Sequence, residues 1–143
     1  MYLVDTNVIS APAPSRVPLP ELTTWMSTHS ADLFLSTVTI AEIEDGIAKA
    51  KREGATRKAR DLAAWLETTL HLYAARILPF DLSTARLAGS LSDQARAQGH
   101  APGFADIIIA ATAQLHGMTI LTRNLRHFAP LGVPVHDPFV RLP

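Results

Sequence analysis

The sequence predicts an α/β protein: a three-layer α/β/α sandwich around a central, mainly parallel sheet of four to five strands. Three observations lead there. Short apolar runs of strand type recur along the chain, at Tyr2-Leu3-Val4, Leu33-Phe34-Leu35, Ile77 to Phe80, Met118 to Leu121 and Val133-Pro134-Val135. Between them lie longer stretches with apolar residues at helical spacing. Strands that alternate with helices pair in parallel through helical crossovers, and the helices cover the sheet. The third observation is that polar residues cluster at the strand exits, where open sheets of this kind bind their ligands.

Each element has its own justification. Tyr2-Leu3-Val4 is a short buried strand with Asp5-Thr6-Asn7 at its exit. Val8 and Ile9 open a brief helix, and Pro12, Pro14, Pro18 and Pro20 then impose an extended connection without helix interior. A helix starts near Pro20, with Leu22, Trp25 and Met26 on its inner face. After the second strand, Ser36 and Thr37 lead into a helix beginning around Thr39, whose stripe is Ile40, Ile43 and Ile47. Gly54 breaks it. A second helix from Ala55 to about Ala74 carries Ala59, Leu62, Ala63, Leu66 and Leu70, giving a helical hairpin. Pro79 makes the third strand short or an edge strand. Asp81 or Ser83 caps the next helix, striped by Leu87, Leu91 and Ala95 and stopped at Gly99. A helix carrying Ile107, Ile108, Ala111 and Leu115 follows, Gly117 ends it, and the fourth and fifth strands close the chain.

Composition narrows the function. A chain of 143 residues is one domain by length, able to bury roughly two-thirds of its unfolded surface. No apolar run approaches the ~20 residues of a membrane span. Met-Tyr-Leu-Val-Asp lacks the basic segment and apolar core of a signal peptide, so a cytoplasmic protein is expected. Without cysteine there is no disulfide framework and no thiolate metal site. Net charge is zero, which argues against a general nucleic-acid coat. The charge is nonetheless uneven, because Lys49, Lys51, Arg52, Arg57, Lys58 and Arg60 crowd one stretch around the hairpin turn. Such a run is either a solvated helix face or a surface for phosphates.

Asp5, Glu42 and Asp106 converge on the carboxyl edge of the predicted sheet. Each has a local explanation: Asp5 can cap a turn, Thr39 and Glu42 fit the Thr-x-x-Glu capping box, and Asp106 opens a helix where its charge meets the dipole. Together they are costly, since two carboxylates ~5 Å apart at an effective dielectric of ~20 repel by about 3 kcal/mol. Capping contributes about 1 kcal/mol and does not offset that. A divalent cation does, and oxygen-only ligands favour Mg²⁺ or Mn²⁺ over zinc. A site of that kind suits phosphodiester hydrolysis. Several rivals lack their parts: there is no Gly-x-x-x-x-Gly-Lys-Ser/Thr loop, no Gly-x-Gly-x-x-Gly turn and no Gly-x-Ser-x-Gly elbow.

Asp5-Thr6-Asn7 after an N-terminal strand, Thr-Ile-Ala-Glu-Ile around Glu42, and Ala-Asp-Ile-Ile-Ile-Ala-Ala-Thr-Ala before Leu-Thr-Arg-Asn resemble the PIN-domain family. More narrowly, the chain is similar to the bacterial VapC and FitB-type toxins of toxin–antitoxin pairs, over essentially its whole length. The resemblance implies a Mg²⁺- or Mn²⁺-dependent endoribonuclease, with Asp5, Glu42 and Asp106 as catalytic and metal-binding residues. It implies a cognate antitoxin, an RNA substrate and a homodimer or higher assembly. Thr6, Asn7, Thr122 and Asn124 would shape the site, and Lys49, Lys51 and Arg52 would bind RNA. The proline-rich segment and the helix with Trp25 and Met26 offer apolar surface for pairing. One departure stands out: many relatives carry a fourth acid beyond the last conserved strand, where this chain has Asn124 and His127. The departure keeps open a non-catalytic or weakly catalytic PIN-like subunit acting in a DNA-binding complex with its antitoxin. A structure-specific DNA nuclease would share the same metal site.

Overall fold

In the computed structural model, which describes residues 1–14 and 16–143, five short strands form one sheet. They are β1 (Tyr2–Val4), β2 (Leu33–Ser36), β3 (Ile77–Leu78), β4 (Thr119–Leu121) and β5 (Val135–His136). Their order is β3-β2-β1-β4-β5, and every pairing is parallel. The register sets Leu3 beside both Phe34 and Ile120. Alternation along the strands then divides the apolar side chains between two cores. Val4, Leu33, Leu35 and Leu121 join one core, while Leu3 and Ile120 belong to the other, with Phe34 packed against it.

The helices complete the three layers. α1 (Thr6–Ile9), α2 (Pro20–Thr28), α3 (Thr37–Arg52) and α4 (Thr56–Tyr73) bury residues in the first core. α5 (Leu82–Ala97), α6 (Phe104–His116) and the short α7 (Leu125–Phe128) bury theirs in the second. The fold is the expected α/β/α sandwich, with five strands and a wholly parallel sheet.

Differences from the sequence expectation are local and have physical causes. β3 stops before Pro79, and β5 is displaced to Val135–His136. Pro134 has no N–H to give a ladder, although its carbonyl accepts from the Ile120 amide at 2.9 Å. Both proline-bearing strands are therefore edges. Gly117 adopts φ +63° as the C-cap of α6, and the next amide, of Met118, turns back to Ala113 O at 2.9 Å. β4 consequently begins at Thr119, one residue later than expected. α3 begins at Thr37 rather than Thr39, because the buried Ser36 side chain accepts from the Val38 amide. That makes Thr39 an interior helix residue with a buried, unpartnered hydroxyl, and the Thr39–Glu42 capping box does not form. α7 carries too few residues to show a period and was not predicted. The proline-rich connection crosses Ser15, which lies outside the described residues.

α2 turns Leu22, Trp25 and Met26 to the core, as the sequence predicts. Met26 is buried in the core, and Trp25 is half-covered, edge-to-face on Tyr2 and stacked on His29. Exposed apolar side chains include Val17 of the proline-rich connection, and Phe80 and Phe104, which meet edge-to-face. Among the described residues no helix is long and apolar enough to cross a membrane.

Candidate active site

β1 occupies the centre of the sheet, so its exit residue stands in the middle of the carboxyl edge. Asp5 is that residue. Its amide donates to Leu121 O at 3.0 Å, which ties the exits of β1 and β4 together. Its side chain is buried, 5% exposed, and a buried carboxylate needs donors. Oδ1 accepts from the Thr6 amide at 2.7 Å, capping α1, and Oδ2 accepts from Asn7 Nδ2 at 2.6 Å and Thr122 Oγ1 at 2.7 Å. Asn7 in turn accepts from the Arg123 amide at 3.0 Å, and the Thr122 hydroxyl accepts from the Asn124 amide at 2.9 Å. Two of the expected shaping residues, Asn7 and Thr122, thus clamp Asp5 directly. Asn124 contributes a backbone donor, and its side chain forms no hydrogen bond among the described residues.

Glu42 reaches the same edge from α3, less than two turns from the end of β2. Its carboxylate accepts a short hydrogen bond from Thr6 Oγ1. The residue as a whole is exposed, yet desolvation of its carboxylate is the largest cause of a raised pKa. The negative charges of Asp5 and Asp106 raise it further, against the lowering effect of the Thr6 hydrogen bond. Asp106 comes from the first turn of α6 and accepts from or shares a proton with His127 Nδ1 at 3.1 Å. Its pKa is also raised, first by desolvation and then by Asp5, while His127 pulls the other way. Glu42 thus feels Asp5 and Asp106 together: the three acids predicted from sequence share one electrostatic neighbourhood.

Hard oxygen donors gathered at one edge, with Asp5 and Asp106 raising the Glu42 pKa, fit a divalent cation of the Mg²⁺ or Mn²⁺ type, which would relieve the repulsion. The ligands are not drawn together in this structure. Among the described residues no three His, Asp or Glu side chains converge as a ready metal cluster, because Glu42 is turned to Thr6 and Asp106 to His127.

Two depressions flank the acids. A groove of about 400 Å³ between α3 and α4 is lined by Thr6, Glu42, Lys49, Lys58, Arg16 and Trp65, among others. Glu42, Gly46, Lys49 and Glu53 recur at intervals of three and four along α3, so one helix face supplies its floor. The expected basic run is therefore split: Lys49 lines the groove, whereas Lys51 and Arg52 are exposed outside its lining. On the other side a pocket of about 390 Å³ is bounded by His100, Gly103, Asp106, Arg126, His127 and Pro130. His100 and Arg126 were not foreseen. They are far apart in sequence and belong to no periodic pattern, so only the tertiary structure brings them together.

The class is that of a wholly parallel α/β/α domain with three acids at the carboxyl edge of its sheet. A PIN-domain family model matches residues 2–131. The chain belongs to the PIN-domain family. It is 35% identical to VapC ribonuclease Y4jK of Sinorhizobium fredii, covering 97% of this chain and 98% of the relative. It is 34% identical to Toxin FitB of Neisseria gonorrhoeae, covering 97% of this chain and 99% of that one. The crystal structure of FitAcB from the same organism superposes with a TM-score of 0.83 at 36% identity, covering 97% of this chain and 99% of the other.

Proposed function

We propose that the protein is a divalent-metal-dependent endoribonuclease and the toxin of a toxin–antitoxin pair. The observation that carries this is the gathering of Asp5, Glu42 and Asp106 at the carboxyl edge, where the charges of Asp5 and Asp106 act on Glu42, in a chain whose relatives include a named VapC ribonuclease and a named toxin. Asp5, Glu42 and Asp106 would hold Mg²⁺ or Mn²⁺. When bound, the ion supplies Lewis acidity for phosphodiester hydrolysis.

The chain's own residues set the stage for that chemistry. Asp5 is fixed by Thr6, Asn7 and Thr122, so its carboxylate keeps one orientation. Glu42 and Asp106 are each held by one hydrogen bond, to Thr6 and His127, and exchange of those bonds would let them close on a cation. Lys49 in the α3–α4 groove would hold a substrate phosphate. A small antitoxin that blocks this acidic edge is the expected partner, and a homodimer the expected assembly. These extend to this chain what its resemblance to VapC and FitB-type toxins implies.

The test is cleavage of an RNA panel with and without Mg²⁺ or Mn²⁺, beside an Asp106→Asn control. Metal-dependent cleavage that the control lacks is the expected result. Intact RNA under every condition would leave the protein a non-catalytic subunit of its complex, and cleavage of DNA alone would change the substrate. Light scattering at micromolar concentration tests the homodimer, and a monomer would refute it.

A further inference from the structure

The groove containing Lys49 and the pocket containing Arg126 share no lining residue, and β1, whose exit residue is Asp5, lies between β2 and β4. Glu42, which follows β2, belongs to the groove. Asp106 and His127, on the β4 side, belong to the pocket. His100, Arg126 and His127 line this pocket with a single carboxylate, Asp106, which His127 contacts. Arg126 is exposed and forms no ion pair among the described residues. An exposed, unpaired arginine that lines the same pocket as one of the acids is suited to hold a phosphate, because its planar fork matches two phosphate oxygens.

We propose that Arg126, with His100 as a neighbouring donor, forms a second phosphate-binding subsite on the far side of the acids from Lys49. The inference rests on the ribonuclease function proposed above and specifies its substrate path. A single-stranded RNA crosses the acidic edge with one backbone phosphate held at Lys49 and another at Arg126. The scissile linkage between them is thereby presented to Asp5, Glu42 and Asp106. Such contacts position the backbone and do not read bases. They also explain how a chain of zero net charge keeps a polyanion over three carboxylates: the positive charge is placed on both flanks of them.

The experiment compares the full-length wild type with Arg126→Gln, Arg126→Lys and Arg86→Gln, the last removing an exposed arginine of α5 outside both depressions. Affinity for a labelled single-stranded oligouridylate is measured across a salt series with Ca²⁺, and cleavage is measured with Mg²⁺. Arg126→Gln is expected to lower the salt slope by roughly 0.7, the value of one lost single-strand contact. Affinity should fall alike for several RNA sequences, and the cleavage position should not move. Arg126→Lys should retain the slope, and Arg86→Gln should match wild type. A line for Arg126→Gln that coincides with wild type, or an equal shift in Arg86→Gln, overturns the subsite while leaving the ribonuclease intact. A changed base preference overturns the phosphate assignment. A wild type that neither binds nor cuts RNA overturns the function itself, and the subsite with it.

Discussion

Asp5 and Asp106 are both aspartates of the acidic edge, but their surroundings predict opposite responses to loss of charge. Asp5 is buried and accepts three hydrogen bonds. An amide in its place turns an N–H₂ toward at least one of those donors, and a buried group left unpaired costs about 1–3 kcal/mol. Asp5→Asn is expected to lose about that much in denaturant melts with EDTA. Asp106 has one partner, His127, and a raised pKa. Asp106→Asn should leave the metal-free protein equally or more stable; a loss above about 1 kcal/mol would make Asp106 chiefly a helix cap. The sign of the pH dependence follows. A carboxyl whose folded pKa is raised contributes stability below its ordinary value and loses it as pH rises through the folded value. The stability of Asp106→Asn relative to wild type should therefore grow as pH climbs from the ordinary aspartate value of 3.8. Chemical melts across that range in EDTA measure it, and a gap that shrinks on raising pH would contradict the coupling.

α3 carries two further expectations. Of the basic residues at its end only Lys49 lines the groove. Lys49→Ala should reduce the RNA salt slope by roughly 0.7, whereas Lys51→Ala and Arg52→Ala should leave it nearly unchanged. Equal effects at all three would mean a diffuse field and not a groove contact. Thr39, its hydroxyl buried without a partner, gains nothing from polarity. Thr39→Val should hold or raise stability by up to about 1 kcal/mol, and a loss of similar size would show that the hydroxyl is hydrogen-bonded in solution. These elements also mark what the sequence could disclose. Helical spacing and strand-type runs located every long element, and acids just past strands β1 and β2 or opening the helix that feeds β4 located Asp5, Glu42 and Asp106, because parallel topology carries strand exits and helix starts to one edge. Three features were illegible. The cap of α3 lay in Ser36 rather than Thr39, a choice set by where β2 ends. α7 has a single turn and therefore no periodicity. The pocket of His100 and Arg126 arises from segments joined only by folding.

At the scale of the molecule the two cores sit on opposite faces of a sheet whose carboxyl edge accumulates negative charge. Closing that edge around a cation should stabilise the whole domain, since a ligand bound only by the folded state adds about 2.7 kcal/mol at a hundredfold excess over its Kd. Millimolar Mg²⁺ or Mn²⁺ is expected to raise the melting temperature of wild type and not of Asp106→Asn. Identical shifts in both would indicate that the ion binds elsewhere.

The central position of β1 has a further consequence, in the timing of synthesis. Thr122, which holds Asp5, lies 117 residues further along the chain, and β1 pairs with β4 through residues equally remote. A chain leaving the ribosome carries Asp5 at an early stage and Glu42 soon after, but neither the clamp on Asp5 nor Asp106 exists until α6 and β4 have emerged. The acidic edge is thus completed only after α6 and β4 have been made. A product truncated before β4 would lack the Thr122 hydrogen bond to Asp5 and the β1–β4 pairing.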